Sequence, residues 1–285
     1  MNILITGCQG QLGSELKALA TPSDFCRYFF TDINELDITD ARAVNQFVQE
    51  NQIDVVVNCA AYTAVDKAES DLGLCERLNA IAPQYLAEAI EKRGGTLVHV
   101  STDYVFDGKG FQPYKEDAPT NPLTVYGRTK LEGERKAMQA CKRTVVVHTA
   151  WLYSTYGNNF VQTILRLAHE KEVLGVVADQ IGTPTYARDL ARTILQIIAK
   201  GIRPGIFHFT NEGTCSWYDF AYAIVRFAGI DRCQIKPLLT ANYPTPAQRP
   251  HYSVLDKTKI KEVYGIDIAH WTESLKDCLN RLQNN

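Results

Sequence analysis

Asn2-Ile3-Leu4-Ile5-Thr6-Gly7-Cys8-Gln9-Gly10-Gln11-Leu12-Gly13 is the stretch that decides the fold. Its first five residues form a short apolar run closed by glycine, the pattern of a buried strand. Residues 14–19 then read as a helix. Strand, glycine turn and helix in that order are the context of a dinucleotide fingerprint. Gly7 permits the tight turn, and Gly10 lets the backbone approach a pyrophosphate. Gly13 lets the helix pack closely on the strand. The helix N-terminus, at Gln11 and Leu12, faces the phosphates. The spacing Gly-x-x-Gly-x-x-Gly is one residue longer than the usual dinucleotide pattern.

Working outward, β-rich runs alternate with helical ones. Residues 27–31 form a second strand ended by Asp32. An acid at that tip, about 20 residues after the turn, accepts hydrogen bonds from an adenosine ribose. It also repels a 2′-phosphate, which favours NADH over NADPH. Asp37 and Ile38 are placed to flank the adenine, and Thr39 reads as an N-cap. Residues 54–58 form a third strand, followed by Cys59-Ala60-Ala61-Tyr62-Thr63, whose small residues let backbone lie against a cofactor. Residues 79–91 read as a helix despite Pro83, and Gly94-Gly95 ends it. A fourth strand, 96–100, runs into Ser101-Thr102-Asp103, and a fifth, 143–149, leads to Trp151. His148 inside it reads as a satisfied core residue. The expected fold is α/β, a Rossmann-type doubly wound parallel sheet.

Tyr126 and Lys130 stand four residues apart, so they project from one face of a helix. A phenol is a poor acid at neutral pH, and a nearby ammonium lowers its pKa. Such a pair can exchange a proton with a carbonyl oxygen. Thr102, at the carboxyl end of the fourth strand, stands at the rim that carries the glycine turn.

Beyond Trp151 the character changes. Helices are expected at about 160–170, 186–200, 217–228, 256–264 and 271–282, with strands at 173–178 and 205–210. Ser216 and Asp219 look like a capping box with Asp in place of Glu. Residues 243–250 carry three prolines and must be irregular. The expected division is a nucleotide-binding domain, 1–150, and a mostly substrate-binding lobe, 151–285. The strand at 205–210 is the segment able to return to the main sheet. Arg249, a guanidinium in an irregular lid segment, suits a substrate pyrophosphate.

Composition excludes several classes. The 285 residues are 45% apolar and 22% charged, with a net charge of −2. That is no footprint for nucleic acid, and the scattered cations make no membrane patch. No run approaches the roughly 18 apolar residues of a membrane span. The N-terminus lacks the features of a secretion signal, which points to the cytoplasm. Eight dispersed cysteines without a Cys-x-x-Cys pair read as reduced thiols. The six histidines show no zinc spacing.

Taken together, Gly7, Gly10, Gly13, Asn58 with Ala60-Ala61, Thr102, and Tyr126 with Lys130 resemble the extended short-chain dehydrogenase/reductase family. Within it the chain is similar to the dTDP-4-dehydrorhamnose reductases. That likeness rests on Cys59-Ala60-Ala61-Tyr62-Thr63-Ala64-Val65-Asp66-Lys67-Ala68-Glu69, Ser101-Thr102-Asp103-Tyr104-Val105-Phe106 and Gly157-Asn158-Asn159-Phe160. Ala178-Asp179-Gln180, Gly182-Thr183-Pro184-Thr185, Tyr243-Pro244-Thr245-Pro246 and Arg249-Pro250 extend it over nearly the whole chain. The resemblance implies reduction of a nucleotide-linked C4 ketone by NADH or NADPH. It implies that Tyr126 donates the proton, that Lys130 holds the nicotinamide ribose and lowers the Tyr126 pKa, and that Thr102 tunes the transfer. Gly10, Gln11, Leu12, Asp32, Asp37, Ile38, Ala61, Tyr62 and Thr63 fall where the family contacts the dinucleotide. Thr102, Asp103 and Trp151 fall where it contacts the sugar nucleotide. Some relatives bind Mg2+ through acids at a dimer contact. Glu15 sits at a matching place, but residues 279–282 offer no acid, so no Mg2+ is predicted and a homodimer stays an open alternative. Dehydratases of this family place Asp-Glu after the strand-end Thr, whereas Tyr104 stands here. An epimerase and a non-catalytic regulatory subunit remain as rival readings.

Overall fold

The computed structural model describes residues 1–21 and 26–284. Its first half supplies β1 (Asn2–Thr6), β2 (Arg27–Thr31), β3 (Val55–Asn58), β4 (Thr96–Thr102) and β5 (Thr144–Thr149). With the Gly205–His208 strand they form one six-stranded sheet. Every pairing in it is parallel. The order is Gly205–His208, β5, β4, β3, β1, β2. The chain passes from β1 to β2 on one side and then crosses to β3 on the other, so the crevice beyond the carboxyl ends of β1 and β3 is a topological switch point.

Helices cover both faces because the strands bury both. Ile3, Ile5, Val55, Val57, Val145 and Val147 face Leu12 and Leu16 of α1 (Gln11–Leu19) and Leu190, Ile194 and Ile197 of the Ala187–Ala199 helix. Leu4, Val56 and Leu97 face the other way, against Val44, Val48, Leu86 and Ile90. That alternation is the period of two of a strand. Each such side chain contributes about 1.5–3 kcal/mol when fully buried. Two elements from the second half, the Ala187–Ala199 helix and the Gly205–His208 strand, therefore belong to the sheet layers.

Much of the remaining chain builds a separate core around Tyr153, Ile164, Val176, Tyr186, Phe220, Ile224, Trp271 and Leu275. Ser216 and Asp219 form the reciprocal capping box at the start of the Trp217–Phe227 helix. No helix among the described residues is long and apolar enough to cross a membrane.

Local chemistry moves two boundaries. Asp40, not Thr39, caps the Ala41–Glu50 helix, accepting from Arg42 N at 2.8 Å and Ala43 N at 3.1 Å. The Thr39 hydroxyl is already committed to Asp37 at 2.7 Å. The helix expected from residue 79 begins earlier, as Leu72–Glu76, and passes through a π-helical turn, Arg77–Ile81, into Ala82–Glu91. Pro83 sits in the first turn of that last segment, where its missing N–H costs least. The π turn carries Asn79 fully inside.

The Val125–Ala140 helix lies directly on this turn. A Cβ on Gly133 would stand 1.9 Å from the Asn79 carbonyl oxygen. Gly133→Ala is therefore expected to cost about 1–3 kcal/mol of stability by overpacking. The thermal midpoint checks this: a value equal to wild type would mean that the helix retreats freely.

Candidate active site

The glycine turn is shaped by what it touches. Gly7 has φ +63°, and a side chain there would meet the Ala60 backbone at 2.8 Å. The turn after β1 thus rests on the segment after β3. A Cβ on Gly13 would stand 2.2 Å from the Gly7 carbonyl oxygen, so α1 starts against the turn itself. Gly10 is the N-cap and brings no side-chain cap. The first N–H groups of α1 are left to face the cleft. Asp32 ties the turn to β2, accepting from Gln9 N and Ile33 N, each at 3.0 Å.

One cleft of about 840 Å³ is lined by Gly7, Gly10, Gln11, Leu12, Gly13, Asp32, Asp37, Ile38, Ala60, Ala61, Thr63, Thr102, Asp103, Tyr126, Lys130, Trp151 and Arg249. Three distant parts of the chain therefore meet at one rim. Tyr62 is the exception among the expected residues. Its ring packs with Ala68, Cys75, Val125 and Tyr126. Its backbone is gripped at both ends by Asn79, with N–H donating to Oδ1 at 2.8 Å and the carbonyl accepting from Nδ2 at 3.0 Å. Asn79 was not singled out in the sequence, and only the π turn explains why it points inward. Cys59, Val100, Ser101, Asn158, Asn159 and Trp217 also line the cleft without having been named as site residues. Most of them adjoin motifs that were quoted. Trp217 adjoins the Ser216 cap.

Thr124 caps the Val125–Ala140 helix, accepting from Gly127 N at 3.0 Å. This fixes Tyr126 and Lys130 one turn apart on the cleft side. Lys130 is 1% exposed; its Nζ donates to the Val100 carbonyl at 2.7 Å and lies 3.5 Å from His99 Nε2. Burial pushes its ammonium down to about 8. Burial also raises Tyr126 above its ordinary value, with the Thr102 hydroxyl opposing and Asp103 reinforcing. The Lys130 ammonium donates to the Val100 carbonyl, a bond that leaves its positive charge in place. Burial and the Thr102 and Asp103 side chains are the largest influences on the phenol in this arrangement. The phenol consequently stays protonated at neutral pH.

Thr102 Oγ1 donates to Asp103 Oδ1 at 3.0 Å and accepts from Tyr104 N at 3.2 Å. Asp103 is pushed up to about 6 by burial, against the pull of the Ser253 and Thr102 hydroxyls. Trp151 has φ +49° and stacks on Trp217 at 3.6 Å with 12° between the rings. Arg249 grips Asp66 with both terminal nitrogens, at 3.0 and 2.7 Å, and Ala247 N adds a bond to the same carboxylate. The irregular 243–250 segment is thereby tied to the mouth of the cleft. Glu15 is 1% exposed and is committed to Ser154 at 2.8 Å and Arg188 at 3.2 Å. Gln11 Oε1 and Thr149 Oγ1 line the cleft and are buried without a hydrogen-bond partner among the described residues. Groups left this way suit a polar ligand.

A model of the RmlD substrate binding domain matches residues 1–284. The dTDP-4-dehydrorhamnose reductase of Aggregatibacter actinomycetemcomitans is 42% identical over 96% of this chain and 97% of its own length. Among solved structures, a dTDP-4-dehydrorhamnose reductase from Clostridium acetobutylicum is 45% identical, with TM-score 0.95 over 99% of this chain and 100% of its own. One from Bacillus anthracis, solved in complex with NADP, is 37% identical, with TM-score 0.95 over 98% of this chain and 99% of its own. The chain belongs to the dTDP-4-dehydrorhamnose reductase family, that of the RmlD substrate binding domain.

Proposed function

We infer that this protein reduces the C4 ketone of dTDP-4-dehydro-6-deoxy-L-mannose to give dTDP-L-rhamnose, with NADH or NADPH, as the last step of dTDP-L-rhamnose synthesis. The observation that carries this is the meeting of Thr102, Tyr126 and Lys130 with the glycine turn in one cleft. The names of the full-length relatives and the NADP complex of the Bacillus anthracis structure support it.

The unpartnered polar atoms and the uncapped start of α1 fit a nicotinamide dinucleotide. When bound, its reduced ring supplies the hydride. The chain supplies position and a proton. Gly7, Gly10, Gln11, Leu12 and Gly13 hold the pyrophosphate, Asp32 the adenosine ribose, and Asp37, Ile38, Ala60, Ala61 and Thr63 the remaining surface. Tyr126, protonated because it is buried, gives its proton to the oxygen that gains charge at C4. Lys130 holds the nicotinamide ribose and offsets the phenolate that results. Thr102 stands beside the phenol, where its hydroxyl favours the phenolate and tunes the transfer. Trp151, backed by Trp217, faces the sugar, and Arg249 faces the substrate pyrophosphate. On this reading residues 1–150 serve the dinucleotide and most of 151–285 the sugar nucleotide.

Tyr126→Phe is expected to lower turnover by a factor on the order of 10² or more while cofactor affinity changes little. Single-turnover oxidation of reduced cofactor with the keto sugar measures it, and wild-type rates would remove Tyr126 from the chemistry. Conversion of the sugar without net loss of reduced cofactor would assign an epimerase instead. Asp32 presents a carboxylate where a 2′-phosphate would add charge, so NADH is the favoured cofactor. Asp32→Ala should shift the kcat/KM ratio toward NADPH; a constant ratio would place the preference elsewhere.

A further inference from the structure

The Val125–Ala140 helix, started by the Thr124 cap, fixes the backbone of Tyr126. It does not fix the plane of the ring, because the torsion between Cβ and an aromatic ring is broad. A phenol O–H lies in the plane of its ring, so that plane decides where the proton points. Turning the ring about its long axis leaves the oxygen in place and swings the hydrogen. A contact from outside the helix must therefore set the plane.

Tyr104 is the one ring paired with Tyr126 among the described residues, at 5.5 Å between centroids and 76° between planes. That is the edge-to-face arrangement favoured by the charge distribution of aromatic rings. Ala68, Cys75 and Val125 also pack around Tyr126, with Val65, Leu74 and Leu78 behind them. Small and aliphatic neighbours confine a ring without choosing its plane. Tyr104 lines the cleft beside the reacting phenol. We infer that Tyr104 is a positioning residue, an edge-to-face clamp that fixes the plane of the Tyr126 ring and so the direction of its O–H in the cleft. This rests on the reductase reading only for its effect on turnover.

The clamp is itself held by its backbone. Tyr104 is the middle residue of the Asp103–Val105 turn. Its N–H donates to Thr102 Oγ1 at 3.2 Å. Phe106 N closes the turn on the Asp103 carbonyl at 3.1 Å, and Asn121 N anchors it through the Val105 carbonyl at 3.0 Å. The Tyr104 carbonyl oxygen stands against the helix, since a Cβ on Gly127 would lie 2.3 Å from it. Tyr104 is thus placed relative to Thr102 and to the residue that follows Tyr126. None of these contacts uses the side chain at 104, so a substitution there removes the ring and leaves the turn. Edge and face belong to the ring rather than to its hydroxyl, so phenylalanine can replace tyrosine as the clamp.

The test compares Tyr104→Leu, which removes the ring, with Tyr104→Phe, which keeps it. Turnover with the keto sugar is expected to fall about tenfold in Tyr104→Leu while affinity for the reduced cofactor changes little, and Tyr104→Phe should restore most of it. In a Tyr126→Phe background, Tyr104→Leu should lower the residual rate by less than about twofold, because the O–H it orients is gone. Additive losses, or an equal loss in Tyr104→Phe, overturn the inference. The ring can also be followed without turnover, by 13C relaxation of ring-labelled tyrosine, with the Tyr126 signal assigned by its loss in Tyr126→Phe. Its order should drop in Tyr104→Leu and hold in Tyr104→Phe. Unchanged order in Tyr104→Leu overturns the inference, and Tyr104→Met takes the place of the leucine variant if that one does not fold. Lowered order in a protein that never consumes reduced cofactor with the keto sugar would uphold the clamp and overturn the reductase reading.

Discussion

A buried row of polar side chains locks three parallel strands into one register and ends on the lysine of the cleft. Thr6 lies opposite Asn58, and Asn58 opposite His99, across β1, β3 and β4. Thr6 Oγ1 donates to Asn58 Oδ1 at 2.7 Å, Asn58 Nδ2 meets His99 Nδ1 at 3.1 Å, and His99 Nε2 meets Lys130 at 3.5 Å. None of the four is more than 1% exposed. Orphaning one such group costs about 1–3 kcal/mol. A one-residue slip in any strand would turn its member to the opposite face and strand the rest. The register that completes the row also brings Gly7, Cys59 and Thr102 to a single rim. Fold specificity and site geometry are here one constraint.

What could be read from the chain alone was whatever is carried by neighbours in sequence. The apolar run into Gly7 needs no partner to be recognised, nor does the four-residue spacing of Tyr126 and Lys130. The Ser216–Asp219 box is equally local, and it formed. Failures came where two neighbours offer the same chemistry or where distance decides. Thr39 and Asp40 both suit an N-cap, and only the prior claim of Asp37 on Thr39 separates them. A single π turn leaves no mark on apolar periodicity. Tyr62 lies among small residues that reach the cleft, but its ring finds the apolar pocket beside Cys75 and Val125. Spacing put Lys130 beside Tyr126 without saying that its ammonium would bond the Val100 carbonyl.

The second half of the chain is not an appendage to the first. Ser154 and Arg188 both close on Glu15 of α1, a carboxylate taken out of solvent by groups more than 130 residues away. Such a joint is strongly destabilised if one partner is removed. Asp66 and Arg249, the latter lining the cleft, are part-buried and partly open to solvent. That pair is therefore the more exchangeable of the two, since exposed ion pairs contribute little. One seam is sealed from solvent, and the other stays partly open to it.

Polar satisfaction differs between the floor of the cleft and its wall. Beneath the cleft, Asn58, Asn79, Glu134 and Lys130 are all bonded. At its wall, Gln11 and Thr149 each keep a buried oxygen unpaired among the described residues, and Trp151 keeps a left-handed backbone that few side chains adopt. Those features lower stability wherever they occur. Selection for stability alone would pair the oxygens and place glycine at 151. A bonded layer of Asn58, Asn79 and Lys130 under a wall with unmet hydrogen-bonding capacity is the arrangement that holds dipoles ready before a ligand arrives, and preorganisation of that kind is what lowers a barrier rather than merely tightening binding.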